Sequence, residues 1–387
     1  MDGTLFFSLV LYPFLLIIKE MNAFIEEEME MGLQTKLVQR LNITHPIFQA
    51  PMAGGITTTA LVAAVSNEGG LGQIGAGYLS ADALRFQIQE VKQQTKKPFG
   101  VNVFIPEKMT TPKQEIEHAY QRLQPFLEKL GVTQKCPLIS LDVEQAFYEQ
   151  IEVILQEKVP VCSFTFGIPS ETVIQQLKEN QTFLIGTATT VEEALKVERS
   201  GVDAVVLQGS EAGGHRGTFS KEEGMIGLMS LIPQATDVLR IPVIAAGGIM
   251  DHRGIKAARV LGAEAVQMGT AFLTTEESGA HALHKQAVLQ AKEENIVLTK
   301  AFSGKKARGV ENEFIQKMAP YENHLPPYPI QNTLTKGLRK EAAKKQNKEF
   351  MSLWCGQSPR LSKRKTVQTL MKELTEPLQT KTPFHHE

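Results

Sequence analysis

The sequence has little cysteine, little net charge and no long apolar run. Its 387 residues include only three cysteines, Cys136, Cys162 and Cys355, which lie far apart. The odd count and the wide spacing argue against a disulfide framework and a zinc site, and they suit a reducing cytoplasm. The formal net charge of −1 gives no electrostatic case for binding nucleic acid or an anionic membrane. We therefore expect a cytoplasmic protein that has no metal site and binds neither nucleic acid nor membrane.

The longest apolar run, Phe6–Ile18, lies close to the N-terminus. It is too short to span a bilayer as a helix, which takes about 20 residues. Asp2 is the only charged residue before it, whereas a secretory signal begins with positive residues. We interpret residues 1–31 as a leader that is disordered or precedes the true start near Met29 or Met31. A membrane anchor and an uncleaved peripheral segment are the alternatives.

From Gly32 onward, short apolar segments alternate with longer amphipathic ones. The short segments are apolar throughout, as expected of strands buried on both faces of a parallel sheet. Several are separated by about 20–30 residues, the length of one βα unit, and eight such units close into a barrel. The sequence therefore predicts a TIM-like (β/α)8 barrel over residues 32–273. The predicted strands are Ile47–Ala50, Leu71–Gly75, Phe99–Phe104, Val159–Phe166, Phe183–Thr187, Ala204–Gln208, Val243–Ala246 and Ala265–Met268.

The sequence changes character after Thr270, where polar and charged residues become frequent. We expect residues 274–360 to form a mostly helical region appended to the barrel and covering one of its ends. We expect residues 361–387 to form a polar tail that frays. The long gap at residues 106–158 is expected to hold more than one helix. Within the barrel, helices are predicted over Thr57–Asn67, Ser80–Thr95 and Thr190–Gly201.

Glycines cluster where several predicted strands end. They occur in the segments Gln49–Gly55, Gly72–Gly77 and Gln208–Gly217. Glycine lets the backbone adopt positive φ and approach a ligand closely. A single pair is equally consistent with a tight turn, but the repetition at so many strand ends predicts a ligand site at the carboxyl end of the barrel.

The ends of the seventh and eighth predicted strands carry the most specific signal. These are the segments Ala245–Ile249 and Gln267–Thr270. Loops at these places commonly build a phosphate site from backbone N–H groups and a short helix N-terminus. The motifs indicate a phosphate-bearing ligand, and a flavin, another nucleotide or a sugar phosphate would fit them equally well.

His215 is the residue best placed for proton chemistry. It follows Gly213 and Gly214 in what we expect to be a loop beyond a strand, so its imidazole can project into the barrel mouth. Because its ordinary pKa lies near neutrality, it can act as base, acid or hydrogen-bond donor. Neighbouring Arg216 could hold an anion, but we expect it to be solvent-exposed. The other histidines, His284 among them, lie in helical, turn or terminal contexts and receive no role.

Taken together, these motifs resemble the nitronate monooxygenase family, formerly called 2-nitropropane dioxygenases, in its bacterial type. The resemblance covers about Leu33 to Gln357, and the combination is specific although each glycine motif alone is weak. Cys355 departs from the pattern, which leads us to expect alanine there. The matching segments are Pro46–Gly77, the strand with Asn102, Ser163–Gly167, Gln208–Phe219, Ala245–Ile249, Gln267–Phe272, Ala307–Gly309 and Trp354–Gln357.

The resemblance implies noncovalently bound FMN and oxidation of alkyl nitronates by O2 to carbonyl compounds and nitrite. It implies propionate 3-nitronate as the physiological substrate, in a detoxification role. It makes His215 the catalytic histidine, which would hold the nitro oxygens or abstract the α-proton of a neutral nitroalkane. With the phosphate motifs, the expected cofactor-binding residues are Met52, Asn102, Gln208, Gly213, Gly247, Gly248, Gln267, Met268, Gly269 and Thr270.

Several other functions fit parts of this pattern. An FMN-dependent enoyl-[acyl carrier protein] reductase using NAD(P)H shares the barrel and a Gly-Gly-His segment, and an NADH:quinone reductase is a further alternative. The C-terminal region through Gln357 favours the nitronate enzymes. From other classes, a sugar-phosphate isomerase is disfavoured because no Glu or Lys is clearly poised at a strand end. An inert flavin-binding protein is disfavoured only by His215.

Overall fold

The structure is a computed structural model that describes residues 35–107, 110–133, 135–139, 143–220 and 224–379. The predicted leader at residues 1–31 lies outside the described part of the chain. Within that part, no helix is both long and apolar enough to cross a membrane.

Eight parallel strands form the barrel, in the order β1-β9-β8-β6-β5-β4-β3-β2. A parallel bridge between Phe48 and Leu71 joins the first and last strands of this order and nearly closes the ring. The predicted TIM-like barrel is therefore confirmed, and each predicted strand is present with its bounds shifted by at most two residues. The barrel strands are β1 Ile47–Gln49, β2 Gly72–Gly75, β3 Phe99–Phe104, β4 Val161–Thr165, β5 Phe183–Ala188, β6 Ala204–Gln208, β8 Val243–Ala246 and β9 Ala265–Met268.

Apolar side chains fill the barrel and its surrounding layer. Phe48, Ile185 and Ile244 lie inside and are fully buried. Helix α1 (Lys36–Leu41) packs Leu37 and Leu41 against this interior cluster. Burial of both sheet faces explains why the strands read as apolar runs without alternation.

Several helices between the strands begin at Ser or Thr N-cap residues, which can be recognised in the sequence. Thr58 Oγ1 accepts a hydrogen bond from Leu61 N, and Ser80 and Thr190 cap their helices in the same way. The predicted helices are confirmed, and the long gap holds two. These helices are α2 Thr59–Asn67, α3 Ala81–Gln94, α4 Lys113–Lys129, α5 Val143–Gln156, α6 Glu171–Glu179, α7 Val191–Arg199, α8 Leu228–Thr236, α9 His252–Val260 and α10 Thr270–Leu273.

The appended C-terminal region has its own apolar cluster, which includes Phe302, Phe314 and Phe350. It also contains strands that the sequence did not predict. Together with β7 (Gly214–His215) from the barrel, they form a three-stranded antiparallel sheet in the order β10-β11-β7. The remaining elements are β10 Ile296–Thr299, β11 Ala307–Val310, α11 Ala282–Gln290, α12 Glu313–Met318, α13 Ile330–Leu334, α14 Lys336–Lys344, α15 Val367–Gln379 and four short 3-10 helices, Glu293–Asn295, Ala319–His324, Lys348–Phe350 and Pro359–Leu361.

Helix α15 shows that the expected fraying of residues 361–387 is wrong for residues 367–379. The helix packs against α2 and α9 on the outside of the barrel. Its apolar residues recur at intervals of three and four, which places them on one face. That face belongs to the main core, and residues after 379 lie outside the described part. Its buried residues are Val367, Leu370, Met371, Leu374 and Leu378.

Candidate functional site

A cavity of about 940 Å³ opens at the carboxyl ends of the barrel strands and extends beneath the C-terminal region. Its size and its mixed lining are typical of a site for a small molecule or cofactor. Of the predicted cofactor-binding residues, Met268 alone lies outside the lining, because its side chain is buried in the main core. The lining includes Met52, Asn102, Gln208, Gly213, Gly247, Gly248, Gln267, Gly269 and Thr270.

His215 lines this cavity, but it lies on strand β7 and not in a loop as expected. Its partner residue on β11 is Ala307, and this pairing fixes the backbone of His215. The Nε2 atom of His215 lies 2.8 Å from Ser303 Oγ, and that hydroxyl donates a hydrogen bond to Lys305 O. Since a hydroxyl has one proton, the pattern assigns a proton to His215 Nε2 and leaves Nδ1 as the basic nitrogen.

The surroundings of His215 keep its imidazole neutral. Burial, followed by the nearby positive charges of Lys305 and Arg339, lowers the pKa of His215 to about 3. The imidazole is therefore a potential base and not a cation at neutral pH. Aromatic rings surround it, with centroids 6.1 Å away for Phe166, 5.8 Å for Tyr328 and 5.4 Å for Trp354.

Hydrogen-bonded amide and hydroxyl groups form the floor of the cavity, inside the barrel. Gln73 Nε2 donates to Gln267 Oε1 at 2.9 Å, and Gln73 Oε1 accepts from Ser163 Oγ at 3.1 Å. Asn102 Nδ2 donates to Ser163 Oγ at 3.0 Å and to Thr165 Oγ1 at 3.1 Å. This network orients the side chains of Asn102 and Gln267, since each amide has a fixed partner.

The side chain of Gln208 forms hydrogen bonds to other residues of the protein. Its Oε1 accepts from Gly217 N at 2.8 Å, and its Nε2 donates to His215 O at 3.0 Å. These two bonds tie the segment around His215 to the end of β6. Gln208 therefore positions His215, in addition to lining the cavity.

The glycines at the phosphate motifs have conformations that side chains rarely adopt. Gly247 has φ +130° and Gly248 has φ +68°. Gly269 precedes the short helix α10, whose first amide groups have no acceptor within the helix. Backbone N–H groups can thus approach an anion here without a side chain in the way.

Residues 355–358 cross the strand-end loops and hold them together. Gly356 N donates to Thr270 Oγ1, Gln357 N donates to Glu211 O, and Ser358 Oγ donates to Gly248 O, each at 3.0 Å. A Cβ at Gly213 would lie 2.5 Å from Gly356 N. Gly213 is therefore required for close packing against this segment.

Arg216 does not have the exposed position that we expected, because it is 1% exposed. Its guanidinium donates to Gly209 O at 2.7 Å and to Gly224 O at 3.1 Å. The side chain thus holds backbone carbonyls of two neighbouring loops together, and these contacts do not favour an anion-binding role.

The structure brings further residues to the cavity that the sequence did not single out. His284 is buried and lines it, and its Nε2 donates to Trp354 O at 2.9 Å, which supports the indole. Lys305 Nζ lies 4.9 Å from the centroid of Phe166. The elements that carry these residues are far apart in the chain, so no local motif joins them. The other such lining residues are Tyr78, Tyr328 and Arg339.

The chain matches the family model described as nitronate monooxygenase over residues 34–377. It is 51% identical over 354 residues to a "Probable nitronate monooxygenase" of Staphylococcus haemolyticus, covering 90% of this chain and 98% of that protein. A relative with the same description from Staphylococcus saprophyticus is 52% identical over 335 residues, covering 86% of this chain and 94% of the relative.

Solved structures show the same similarity. A nitroalkane oxidase from Streptomyces ansochromogenes is 39% identical with a TM-score of 0.83, covering 89% of this chain and 98% of that one. FabK from Thermotoga maritima is 34% identical with a TM-score of 0.71, covering 89% and 96%. From the barrel, the cavity around His215 and these matches, we conclude that the chain belongs to the nitronate monooxygenase family of flavin-dependent oxidoreductases.

Proposed function

We propose that this enzyme holds FMN noncovalently and uses O2 to oxidise alkyl nitronates to carbonyl compounds and nitrite. We propose propionate 3-nitronate as its physiological substrate and detoxification as its role. Atoms balance when two nitronates react with one O2. The observation that carries this proposal is a flavin-sized cavity whose lining includes His215 and two cations, Lys305 and Arg339.

The residues around the cavity fit FMN. The positive-φ glycines Gly247 and Gly248, with the start of α10 at Thr270, offer backbone N–H groups to a phosphate. The oriented amides of Asn102 and Gln267 offer hydrogen bonds to the polar edge of a flavin. When bound, FMN supplies an electron acceptor that passes electrons on to O2.

The charges in the cavity suit an anionic substrate. Lys305 and Arg339 both line it, and both act on His215 strongly enough to lower its pKa. The same field attracts the negative charge of a nitronate. The basic Nδ1 of His215 can take the α-proton of a neutral nitroalkane and so form the nitronate in the site.

The second candidate is an FMN-dependent enoyl-[acyl carrier protein] reductase that uses NAD(P)H, because such enzymes also carry a Gly-Gly-His segment. The enoyl thioester itself is neutral, but NAD(P)H carries anionic phosphates that Lys305 and Arg339 could also meet. The two candidates are therefore separated by the electron donor that reduces the flavin.

Anaerobic reduction separates the two candidates. We expect the purified protein to be yellow and its flavin absorbance to bleach on addition of propyl-1-nitronate but not of NADPH. Admission of air should then restore the absorbance and release nitrite. Rapid bleaching by NADPH would make the reductase the better assignment, and a colourless protein unable to take up FMN would contradict both.

A further inference from the structure

We infer that Arg339 is a specificity-determining residue, which binds a carboxylate at the end of the substrate remote from its nitronate group. This inference rests on the proposed nitronate oxidation and adds to it a requirement for a second negative charge.

Arg339 has hydrogen-bonding capacity that the protein leaves unused. It lies on helix α14 and lines the cavity. Its Nη2 donates to the backbone O and the Oδ1 of Asn332, each at 2.8 Å. Its Nε is buried and has no hydrogen-bond acceptor among the described residues. A buried donor without a partner is costly, so the site is better satisfied with an acceptor bound.

The positive charge of Arg339 also lacks a carboxylate partner in the described part of the chain. Burial lowers its pKa, and the only groups that oppose this effect are Tyr78 and Tyr328, not an acid. Among the described residues that line the cavity, Glu107 is the only acidic one, and its side chain is exposed. A desolvated guanidinium is normally paired with an anion. We infer that the substrate is the anion that pairs with Arg339.

Two tyrosine hydroxyls complete the subsite. Tyr78 and Tyr328 line the cavity together with Arg339, and both interact electrostatically with it. Burial raises the pKa of each tyrosine, so both hydroxyls keep their protons. A guanidinium beside protonated hydroxyls suits an acceptor-only, planar group such as a carboxylate.

We assign the nitronate group to the part of the cavity lined by His215 and Lys305. Ser303 and the pairing of β7 with β11 fix His215, whereas Arg339 is carried by a helix of the C-terminal region. A short aliphatic substrate with charge at both ends would therefore be recognised by residues from both parts of the chain.

Kinetics of the FMN-loaded enzyme with matched substrates test this inference. Propionate 3-nitronate and propyl-1-nitronate have the same number of carbons and differ in the carboxylate. For Arg339→Gln we expect KM to rise about 10- to 100-fold more with the first substrate than with the second, because both lose the general attraction of the guanidinium and only the first loses a charge-assisted contact. Arg339→Lys should keep a positive charge at this position, so its KM for propionate 3-nitronate should lie between those of the wild type and Arg339→Gln.

Lys344→Gln is the matched control, since Lys344 is an exposed cation on the same helix outside the cavity. It should leave both KM values unchanged. An equal change in Arg339→Gln for both substrates, or no change for either, would overturn the carboxylate subsite. If the wild-type enzyme oxidised neither nitronate, the proposed function itself would fail, which is a distinguishable result.

A binding measurement gives a readout other than turnover. Trp354 is the only tryptophan in the sequence, and it lines the cavity. We expect succinate, an unreactive dicarboxylate, to change its fluorescence on binding. The Kd should rise in Arg339→Gln by a factor similar to that in KM and stay unchanged in Lys344→Gln. Equal Kd values in the wild type and in Arg339→Gln would contradict the inference.

Discussion

His215 takes its chemical character from neighbours that are distant in the sequence. The pairing of β7 with β11 fixes its backbone, Ser303 binds its Nε2, and Lys305 with Arg339 disfavours its protonation. These contacts convert an ordinary histidine into one whose pKa is lowered to about 3. It therefore stays neutral over the physiological pH range, as a proton acceptor must.

Replacement of His215 by asparagine tests its role in turnover. With a neutral nitroalkane as substrate, we expect His215→Asn to lower kcat about 100- to 10,000-fold, the usual contribution of a positioned acid or base, while bound flavin remains. Nitrite release and flavin absorbance measure the two effects. His118→Asn, at an exposed position on α4, is the control and should change neither. Loss of flavin from His215→Asn would instead give His215 a structural or cofactor-binding role.

At the scale of the elements, the site depends on turns that only glycine tolerates. Gly247 follows β8 with φ +130°, and a Cβ there would lie 3.1 Å from Ala212 N. Gly201 follows α7 with φ +87°, and a Cβ there would make only an ordinary contact, 3.9 Å from Lys178 Nζ. A residue with a side chain would strain the backbone at both positions, but only Gly247 lines the cavity.

We expect Gly247→Ala and Gly201→Ala each to lower the free energy of unfolding by about 1–2 kcal/mol, because both impose a left-handed conformation on alanine. Only Gly247→Ala should also weaken FMN binding, by more than about tenfold, since the backbone beside the phosphate must shift. Chemical denaturation and equilibrium dialysis of FMN provide the measurements. Unchanged FMN affinity in Gly247→Ala would refute a phosphate site at this turn.

At the scale of the whole molecule, residues late in the chain complete the barrel. Helix α15 covers α2 and α9, and residues 355–358 tie together the loops that surround the cavity. Leu374 is 1% exposed within the main core. The C-terminal part therefore stabilises the barrel and shapes its site.

Leu374→Ala is expected to lower the free energy of unfolding by about 2–5 kcal/mol, as is usual when a buried leucine is truncated. Lys372→Ala, at an exposed position of the same helix, should change it by less than about 0.5 kcal/mol. Denaturant titration gives both values. Equal stabilities of the two variants would mean that this helix does not pack on the barrel.

The barrel could be predicted because its signals are local. A strand buried on both faces is apolar along its length, and a helix shows its cap and its periodicity within a few residues. The glycines after β8 and β9 likewise mark their turns in the sequence itself. Strand bounds, capped helices and the position of the phosphate motifs follow from such short-range rules.

Other features depended on the tertiary structure. Arg216 and Arg339 are the same residue type, yet Arg216 binds the backbone carbonyls of Gly209 and Gly224 outside the cavity lining, whereas Arg339 lines the cavity. Contacts around the site join segments that are far apart in the sequence: Arg308 Nε donates to Ser210 O at a sequence separation of 98, and Gly356 N donates to Thr270 Oγ1 at a separation of 86. The sequence by itself determined the barrel, its glycine turns and the candidacy of His215. Only the tertiary structure decided which cations reach that histidine, because charge, burial and hydrogen bonding are properties of contacts between distant segments.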